Sequence, residues 1–344
     1  MAFFAVGLLL VACLFQPAFG QNIEDCPQNS NTTVGKNTVD ASTLRLGSTA
    51  RKKCEEYSQY VCRYEEAQVL TDADQVLTNN CVVPLVPLVV GGEPVIAGEY
   101  PHMALLGVGA DQENINYHCG GSLIAPNFVM TAAHCLVFQS QHVRWVLLGD
   151  LDRLSTEDEA EPQLLEVSGR FTPPSGLDRE ELYHDIALLQ LKTEAEMTRF
   201  VRPACVFPDP TLEANNDAFV VTGWGDTTRG GGGDPSSILQ KVRLGILPNN
   251  VCQTSYKFHR NIFPRGVLAE AHVCAGNLTG GRDICQMDSG SPLAFFRSEK
   301  PYCMHHVVGV ASVGSSCGLR NSPSVFTRVS IYMPWIESVV WPPS

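Results

Sequence analysis

From Val89 onward, this chain consists of short apolar runs separated by Gly, Pro, Asn and Asp. Short runs rich in Val, Ile, Leu and Phe favour strands, and the residues between them favour turns. Such runs occupy 143–148 (VRWVLL), 186–191 (IALLQL), 218–222 (AFVVT) and 307–313 (VVGVASV). One helical pattern stands at the end of the chain, with a shared apolar face of Ile331, Trp335, Ile336, Val339 and Val340. Many short strands with one terminal helix predict an all-β fold, either a barrel or a sandwich.

The first twenty residues have the pattern of a secretory signal. An apolar run from Phe3 to Phe15 is followed by Ala18-Phe19-Gly20, a small-x-small sequence that favours cleavage before Gln21. This run is too short to span a bilayer, which takes about 20 apolar residues, and no later segment reaches that length. We therefore expect a secreted, extracellular protein that makes no membrane contact.

The cysteine content and the charge narrow the class of protein further. Cys13 is lost with the signal, and the twelve remaining cysteines, an even number, indicate disulfides in an oxidising compartment. We expect no metal and no cofactor, because the chain has no CxxC pair and no HxxxH. The net charge of −12 argues against nucleic acid as a partner. Asn31 and Asn277 begin Asn-X-Thr sequons and are candidate glycosylation sites.

The composition changes near position 88, which divides the chain into a signal peptide (1–20), an N-terminal region (21–88) and a larger domain (89–344). Residues 21–80 are polar with few aromatics, and they predict no hydrophobic core. The run from Val82 to Leu88 is apolar but contains prolines, so we expect an extended and accessible connection.

Three motifs that carry chemistry follow one another in the larger domain: TAAHC with His134, HDIALL with Asp185 and DSGSP with Ser289. Acyl transfer by serine needs a base for the hydroxyl proton and a carboxylate that stabilises the imidazolium. Each residue has an ordinary structural alternative. His134 is beside a cysteine, Asp185 is at a strand end, and Ser289 is in a turn. The three together, in this order, favour a catalytic triad.

On these motifs, together with VVGG, CGGSLI, GWG, CAG and VFTRVSIYMPWI, the larger domain resembles the chymotrypsin-type (S1) serine proteases. The resemblance implies two antiparallel β-barrels with the triad in the cleft between them. His134 would then be the general base, Asp185 would orient it, and Ser289 would be the nucleophile. Three disulfides are implied as well: Cys119–Cys135, Cys252–Cys274 and Cys285–Cys317.

The resemblance also implies a primary specificity pocket. Asp283 lies six positions before the serine, where a carboxylate selects Arg or Lys by charge pairing. Ser312 and Gly314 match further substrate-binding positions. Ser324 replaces a pocket-wall glycine, and its side chain is expected to narrow the pocket.

In the family, two backbone N–H groups hold the developing oxyanion, and here they would belong to Met287 and Ser289. Relatives have glycine at position 287, and Ser291 replaces a second glycine. We expect the Met287 side chain to project near the leaving-group side of the cleft and its Cβ to restrict the backbone. Ser291 adds only a small hydroxyl and should be easier to accommodate. An active but slow protease is the expected result.

Val89-Val90-Gly91-Gly92 matches the mature N-terminus of the family. Cleavage after Leu88 would free the Val89 ammonium, which in relatives pairs with the aspartate before the serine, here Asp288. A protease with Asp283 in its pocket should not cut after leucine. We therefore expect a separate upstream protease that accepts leucine, a protein substrate such as a downstream zymogen, and a serpin inhibitor.

Leu88, RKKCEEY, GEYPHMALLG and VRPAC resemble the snake-type clip-domain proteases of arthropods, which implies a step in an extracellular cascade of immunity or development. A clip domain needs six cysteines that end in an adjacent pair, but residues 21–88 contain four and no such pair, so we predict a degenerate or absent clip domain. By resemblance, Cys205 ties the N-terminal region to the larger domain, with Cys81 as its nearest candidate. Cys303 lacks its usual partner because Phe219 stands there. The pairing of Cys26, Cys54 and Cys62 stays open.

The main alternative is a protease homologue that keeps the fold but acts as a non-catalytic cofactor or scaffold. Such homologues usually lack a triad residue, and this chain lacks none. The acidic segment 150–161 lies where some relatives bind calcium, although an acidic, solvated loop is the favoured interpretation.

Overall fold

The computed structural model describes residues 26, 47–66, 75–84, 92–175, 182–209, 218–226, 228, 232–279, 284–285, 287–299, 301–314 and 319–343. The strands of its first half are β1 (Cys62–Glu66), β2 (Gln75–Asn79), β3 (Glu93–Pro94), β4 (Met103–Val108), β5 (Asn116–Ala125), β6 (Phe128–Thr131), β7 (Val137–Phe138), β8 (Gln141–His142) and β9 (Trp145–Leu148). Those of its second half are β10 (Gln163–Phe171), β11 (Ala187–Leu191), β12 (Cys205–Val206), β13 (Phe219–Gly223), β14 (Gln240–Ile246), β15 (His272–Gly276), β16 (Pro292–Arg297), β17 (Met304–Val313) and β18 (Ser324–Arg328). The helices are α1 (Ser48–Ser58), α2 (Asn249–Ser255) and α3 (Met333–Val340).

Two antiparallel barrels form the larger domain. The first closes in the order β10-β11-β6-β5-β4-β9. In the second, β17, β16, β13, β14, β15 and β18 follow one another, and the pairing of β17 with β18 completes the ring. Strand β12 adds to β17 in parallel, and β3 adds to β14. The predicted fold class, an all-β pair of barrels with a terminal helix, is confirmed.

The sequence pattern placed four of these strands well because their interior faces are almost continuously apolar. The runs VRWVLL and IALLQL contain β9 and β11, and the runs AFVVT and VVGVASV contain most of β13 and of β17. The terminal helix is shorter than its pattern suggested. Ile331 lies before α3 in a 3-10 turn and is exposed, whereas Met333 is fully buried in its place. None of the described helices is long and apolar enough to cross a bilayer.

The N-terminal region contributes to the core of the larger domain, which its polar composition did not predict. Ala50, Cys54 and Tyr57 on α1 are buried in the same hydrophobic cluster as Leu123 of the first barrel and Ile336 of α3. These buried side chains occupy one face of a helix whose other faces are mostly charged. The composition averaged over the whole N-terminal region is therefore polar and does not reveal this apolar face.

Polar contacts hold α1 against the end of the chain. The Ala50 N–H donates to Oε1 of Glu337 at 2.8 Å, so a carboxylate of α3 satisfies a free amide at the start of α1. The Trp341 indole N–H donates to the Tyr57 hydroxyl at 2.9 Å. The antiparallel hairpin β1–β2 is held by a hydrogen bond as well. The side-chain amide of Asn79 donates to the Tyr302 hydroxyl at 3.0 Å.

Two disulfides, not one, connect the N-terminal region to the barrels. Cys205 pairs with Cys54, and Cys81 pairs with Cys303. The expected Cys81–Cys205 bond is therefore wrong, because Cys54 on the docked helix lies closer to Cys205. Cys303, which lacks its usual family partner and whose pairing the sequence left open, is bonded to Cys81. A further disulfide, Cys26–Cys62, lies within the N-terminal region.

Candidate active site

His134 lies in a short 3-10 turn, Ala133–Leu136, directly after β6. The neighbouring Cys135 is bonded to Cys119 of β5, which fixes the turn against the first barrel. The His134 side chain is 31 % exposed, so the imidazole sits at a surface where a ligand can reach it.

Asp185 lies two residues before the start of β11 and is completely buried. Its Oδ2 accepts a hydrogen bond from Nδ1 of His134 at 2.8 Å and one from the Ser312 hydroxyl at 2.6 Å. Its Oδ1 accepts from the His134 backbone N–H at 3.0 Å, and its backbone carbonyl accepts from the Thr327 hydroxyl at 2.8 Å. Every oxygen of this buried residue has a donor, as a buried carboxylate requires.

The two side chains perturb each other's pKa. Burial disfavours the charged imidazolium, but the charge of Asp185 and its hydrogen bond outweigh burial and raise the pKa of His134. Burial also disfavours the carboxylate, but His134 and the hydroxyl of Ser312 hold the pKa of Asp185 below its ordinary value. An ionised Asp185 accepts a hydrogen bond from the Nδ1–H of His134, which leaves Nε2 of the neutral imidazole as a base.

The loop that carries Ser289 is wedged between the two barrels. The Ser289 carbonyl accepts from the Gly120 N–H at 2.8 Å, and the Gly290 N–H donates to the Ala311 carbonyl at 2.8 Å. Gly290 has a φ of 80°, and a Cβ there would overlap the Thr131 hydroxyl. Glycine is therefore needed at this position, which lies against the strand end that leads to His134. In the described part of the chain, no hydrogen bond joins the His134 ring to Ser289.

Met287 has a φ of 71°, a left-handed conformation that favours glycine. Its side chain is partly buried and packs against a hydrophobic cluster that includes Trp224 and Leu239, together with the partly buried Leu151. We expected this side chain near the leaving-group side of the cleft, and the sequence did not predict these apolar neighbours. The thioether has apolar neighbours here, and the backbone has taken the conformation that a glycine would take.

Ser291 is fully buried, and its hydroxyl has no hydrogen-bond partner in the described part of the structure. A Cβ on Gly120 would overlap this hydroxyl, and a Cβ on Gly223 would lie 3.2 Å from it. The extra hydroxyl of Ser291 is thus accommodated because both neighbours are glycines.

Asp288 is held by backbone amides. Its Oδ1 accepts from the Gly225 N–H at 2.9 Å and its Oδ2 from the Cys285 N–H at 2.8 Å. Burial raises the pKa of this carboxyl to about 6, although both amides oppose the shift. A Cβ on Gly225 would overlap the carboxylate, so glycine there permits the close approach.

Gly314 and Ser324, both expected to line the specificity pocket, lie together. A Cβ added to Gly314 would lie 3.6 Å from the Ser324 hydroxyl and 3.3 Å from the nearest atoms of Ile284. Ser324 is fully buried.

Of the other predicted residues, Cys252 is bonded to Cys274, and Cys285 is also in a disulfide. Asp283, Cys317, Leu88 and Val89 lie outside the described residues.

Two groups of metal-type ligand atoms converge among the described residues: Cys54, Cys205 and His306, and Cys119, His134 and Cys135. Their cysteines are all in disulfides and are therefore not available as thiolate ligands. Neither group includes the acidic segment 150–161. In that segment, burial and the nearby Asp158 raise the pKa of Asp150 to about 6.

Some residues of the site were not found from the sequence. Thr327 binds the Asp185 carbonyl from a strand 142 positions away, and the Gly225 amide binds Asp288 across 63 positions. The available signals were weak. GWG was matched as a motif without a role for its second glycine, and Thr327 lies inside the matched VFTRVS.

The comparisons with known proteins agree with this architecture. The sequence profile of the trypsin family matches residues 89–336. The chain is 35 % identical over 326 residues to serine protease snk of Drosophila melanogaster, covering 94 % of this chain and 72 % of that protein. It is 33 % identical over 264 residues to phenoloxidase-activating factor 3 of Holotrichia diomphalia, with 73 % and 72 % covered. It is 32 % identical over 303 residues to venom serine protease Bi-VSP of Bombus ignitus, with 80 % of each covered. The predicted resemblance to snake-type arthropod proteases is confirmed, and the chain belongs to the trypsin family of serine proteases.

Proposed function

We propose that this protein is a secreted zymogen of a serine endopeptidase that cleaves after Arg or Lys. The observation that carries this proposal is the buried, fully hydrogen-bonded Asp185, which binds Nδ1 of His134 and so leaves Nε2 as the available nitrogen of a partly exposed imidazole. Such an arrangement serves general-base catalysis, and no ordinary role of a surface histidine requires it.

In the proposed mechanism, Nε2 of His134 takes the proton of Ser289 as the hydroxyl attacks the substrate carbonyl. Asp185 stabilises the imidazolium without taking the proton itself. The N–H groups of Met287 and Ser289 donate to the oxyanion that forms. His134 then returns its proton to the leaving amine. Asp283 would select the basic residue before the scissile bond.

Activation is proposed to follow cleavage between Leu88 and Val89 by a protease that accepts leucine. The Val89 ammonium would then pair with Asp288, whose buried carboxylate has amide donors but no cationic partner among the described residues. We propose a downstream zymogen as substrate, in an extracellular cascade, since the name of one relative is phenoloxidase-activating factor 3. A serpin is the proposed inhibitor.

The test uses protein cleaved after residue 88, obtained by trypsin treatment of a Leu88→Arg variant. A fluorophosphonate probe should label this protein, and Ser289→Ala should abolish the labelling. Matched peptides with Arg, Lys or Leu before the scissile bond should be hydrolysed only when that residue is basic, and Asp283→Ser should remove the preference. Labelling without any preference for basic residues would contradict the specificity alone.

A second candidate function is that of a non-catalytic cofactor with a protease fold, favoured by the left-handed Met287 at a position where the family has glycine. Absence of labelling in both the cleaved protein and its Met287→Gly variant would establish this second function and contradict the first.

We also propose that Asn277 carries an N-linked glycan. Its Oδ1 accepts hydrogen bonds from the Thr279 hydroxyl at 2.7 Å and the Thr279 N–H at 3.0 Å, and the exposed side chains of 278 and 279 leave the site accessible. Glycosidase treatment of protein secreted from insect cells should lower its mass, and Asn277→Gln should remove the part of that change that belongs to this site. The other sequon, at Asn31, lies outside the described residues.

A further inference from the structure

Arg202 is a buried guanidinium in the loop that precedes β12. Its side chain is only 4 % exposed, and its backbone N–H donates to the Pro101 carbonyl at 2.9 Å. Neither Nε nor Nη1 has a hydrogen-bond partner, and none of the ion pairs in the described part of the chain includes Arg202. A buried charge without a partner is strongly destabilising, so this group calls for a counter-ion.

The side chains around Arg202 do not provide that counter-ion. Burial, followed by the positive charge of Arg202, lowers the pKa of His102 to about 3, and burial also lowers the pKa of His305 far below its ordinary value. Both imidazoles are therefore neutral. The carboxylate of Glu99 is already engaged, because it pairs with Nζ of Lys241 at 2.5 Å and accepts from the Ile96 N–H at 3.2 Å.

Three side chains of this cluster have hydrogen-bond donors without acceptors. Besides Nε and Nη1 of Arg202, the hydroxyl of Tyr100 and both ring nitrogens of His102 are buried and unpaired, and one of those two nitrogens carries the proton of the neutral imidazole. The rings form one contiguous group, with centroids of His102 and Tyr100 at 4.7 Å and 4.9 Å from that of His305. His305 itself is fixed, since its Nε2 bonds to the Glu99 carbonyl at 2.9 Å.

We propose that Arg202, His102 and Tyr100 form a binding site for a small monovalent anion of the size of chloride. Only an anion supplies acceptors for all of these donors and at the same time neutralises the guanidinium. A water molecule satisfies the hydrogen bonds but leaves the charge. Because all three side chains are buried, the proposed anion is a small one. The anion would join the turn before β4 to the loop before β12, beside the ring of His305 on β17.

The experiment measures thermal unfolding of the full chain in sodium chloride and in sodium isethionate, mixed at constant ionic strength. Unfolding should shift to higher temperature as chloride replaces isethionate. A dissociation constant of about 10 mM, for example, would lower the unfolding constant about tenfold at about 100 mM chloride. Arg202→Met should abolish the chloride dependence, and Tyr100→Phe should weaken it. Arg199→Met, at an exposed arginine three positions away, should leave it unchanged.

A crystallographic measurement covers the case in which Arg202→Met does not fold. Crystals of the unmodified protein soaked in bromide should show an anomalous peak within hydrogen-bond distance of Nε and Nη1 of Arg202. Water density without an anomalous peak, or unfolding that does not depend on chloride at constant ionic strength, would overturn the proposal.

Discussion

Replacement of Met287 by glycine tests whether the unusual residue in the nucleophile loop limits the reaction. Met287 has a φ of 71°, and a residue with a Cβ pays roughly 1–2 kcal/mol for this left-handed conformation. Its N–H is one of the two proposed oxyanion donors. A loop that relieves this strain by leaving the conformation loses the donor, so the strain lowers the fraction of protein that is competent for catalysis.

Since about 1.4 kcal/mol corresponds to a factor of ten, Met287→Gly should raise kcat by up to about 5–30-fold. The KM for an Arg peptide should change little, because the oxyanion exists only in the transition state. The assay is hydrolysis of a fluorogenic Arg peptide by protein cleaved after residue 88, with the active fraction counted by titration.

Met287→Ala is the matched control. Alanine removes the side chain that packs near Trp224 but keeps the Cβ, and with it the strain. We therefore expect a gain in kcat with glycine and none with alanine. Equal gains in the two variants would mean that the side chain, and not the backbone, limits the reaction. No gain with glycine would refute the strain argument.

Three further predictions concern protonation and disulfides. Because Asp185 raises the pKa of His134, kcat/KM should fall as the pH decreases. The midpoint of this fall should lie above the ordinary pKa of histidine, which is about 6.5. Asp185→Asn should shift this limb to lower pH and reduce kcat by about 10⁴, and an unshifted limb would contradict the pairing. Asp288, with its pKa raised to about 6, gives stability that is complete below the ordinary aspartate pKa and is lost as pH rises through about 6. The Tm of the uncut chain should therefore fall more steeply between pH 4 and pH 7.5 than that of Asp288→Asn, and parallel curves would refute this. After cleavage at residue 88, Cys54→Ser alone should leave the two pieces joined on a non-reducing gel, whereas Cys54→Ser with Cys81→Ser should release the N-terminal piece.

The sequence predicted those parts of the fold in which neighbouring residues share one environment. The apolar runs around β11 and β17 are buried along nearly their whole length, so local composition was sufficient to identify them. The closure of the second barrel depends on the pairing of β17 with both β16 and β18, and a pattern within one strand carries no information about its neighbours. The resemblance to a known family supplied that information.

In the site as well, the sequence identified features that are local in the chain and missed contacts between distant segments. The three motifs marked His134, Asp185 and Ser289, but the hydrogen bond from Ser312 to Asp185 joins residues 127 positions apart. The sequence predicted Ser312 as a residue that contacts substrate, but it did not predict that the Ser312 hydroxyl also fixes this carboxylate. The apolar neighbours of Met287 were not predicted either, because other segments of the chain build that cluster.

The docked N-terminal region bears on how activation can work. The Leu88–Val89 bond lies between Cys81, which is bonded to Cys303, and Glu93, which pairs with Lys241 across β3 and β14. Both ends of the segment are therefore anchored on the second barrel or beside it, and α1 is anchored separately through Cys54 and its buried face. Cutting the bond does not remove the N-terminal region from the core to which it contributes. In the proposed activation, the change would be confined to the segment between the two anchors and to the new ammonium, and the buried carboxylate of Asp288 would be the point where cleavage acts on the loop that carries Ser289.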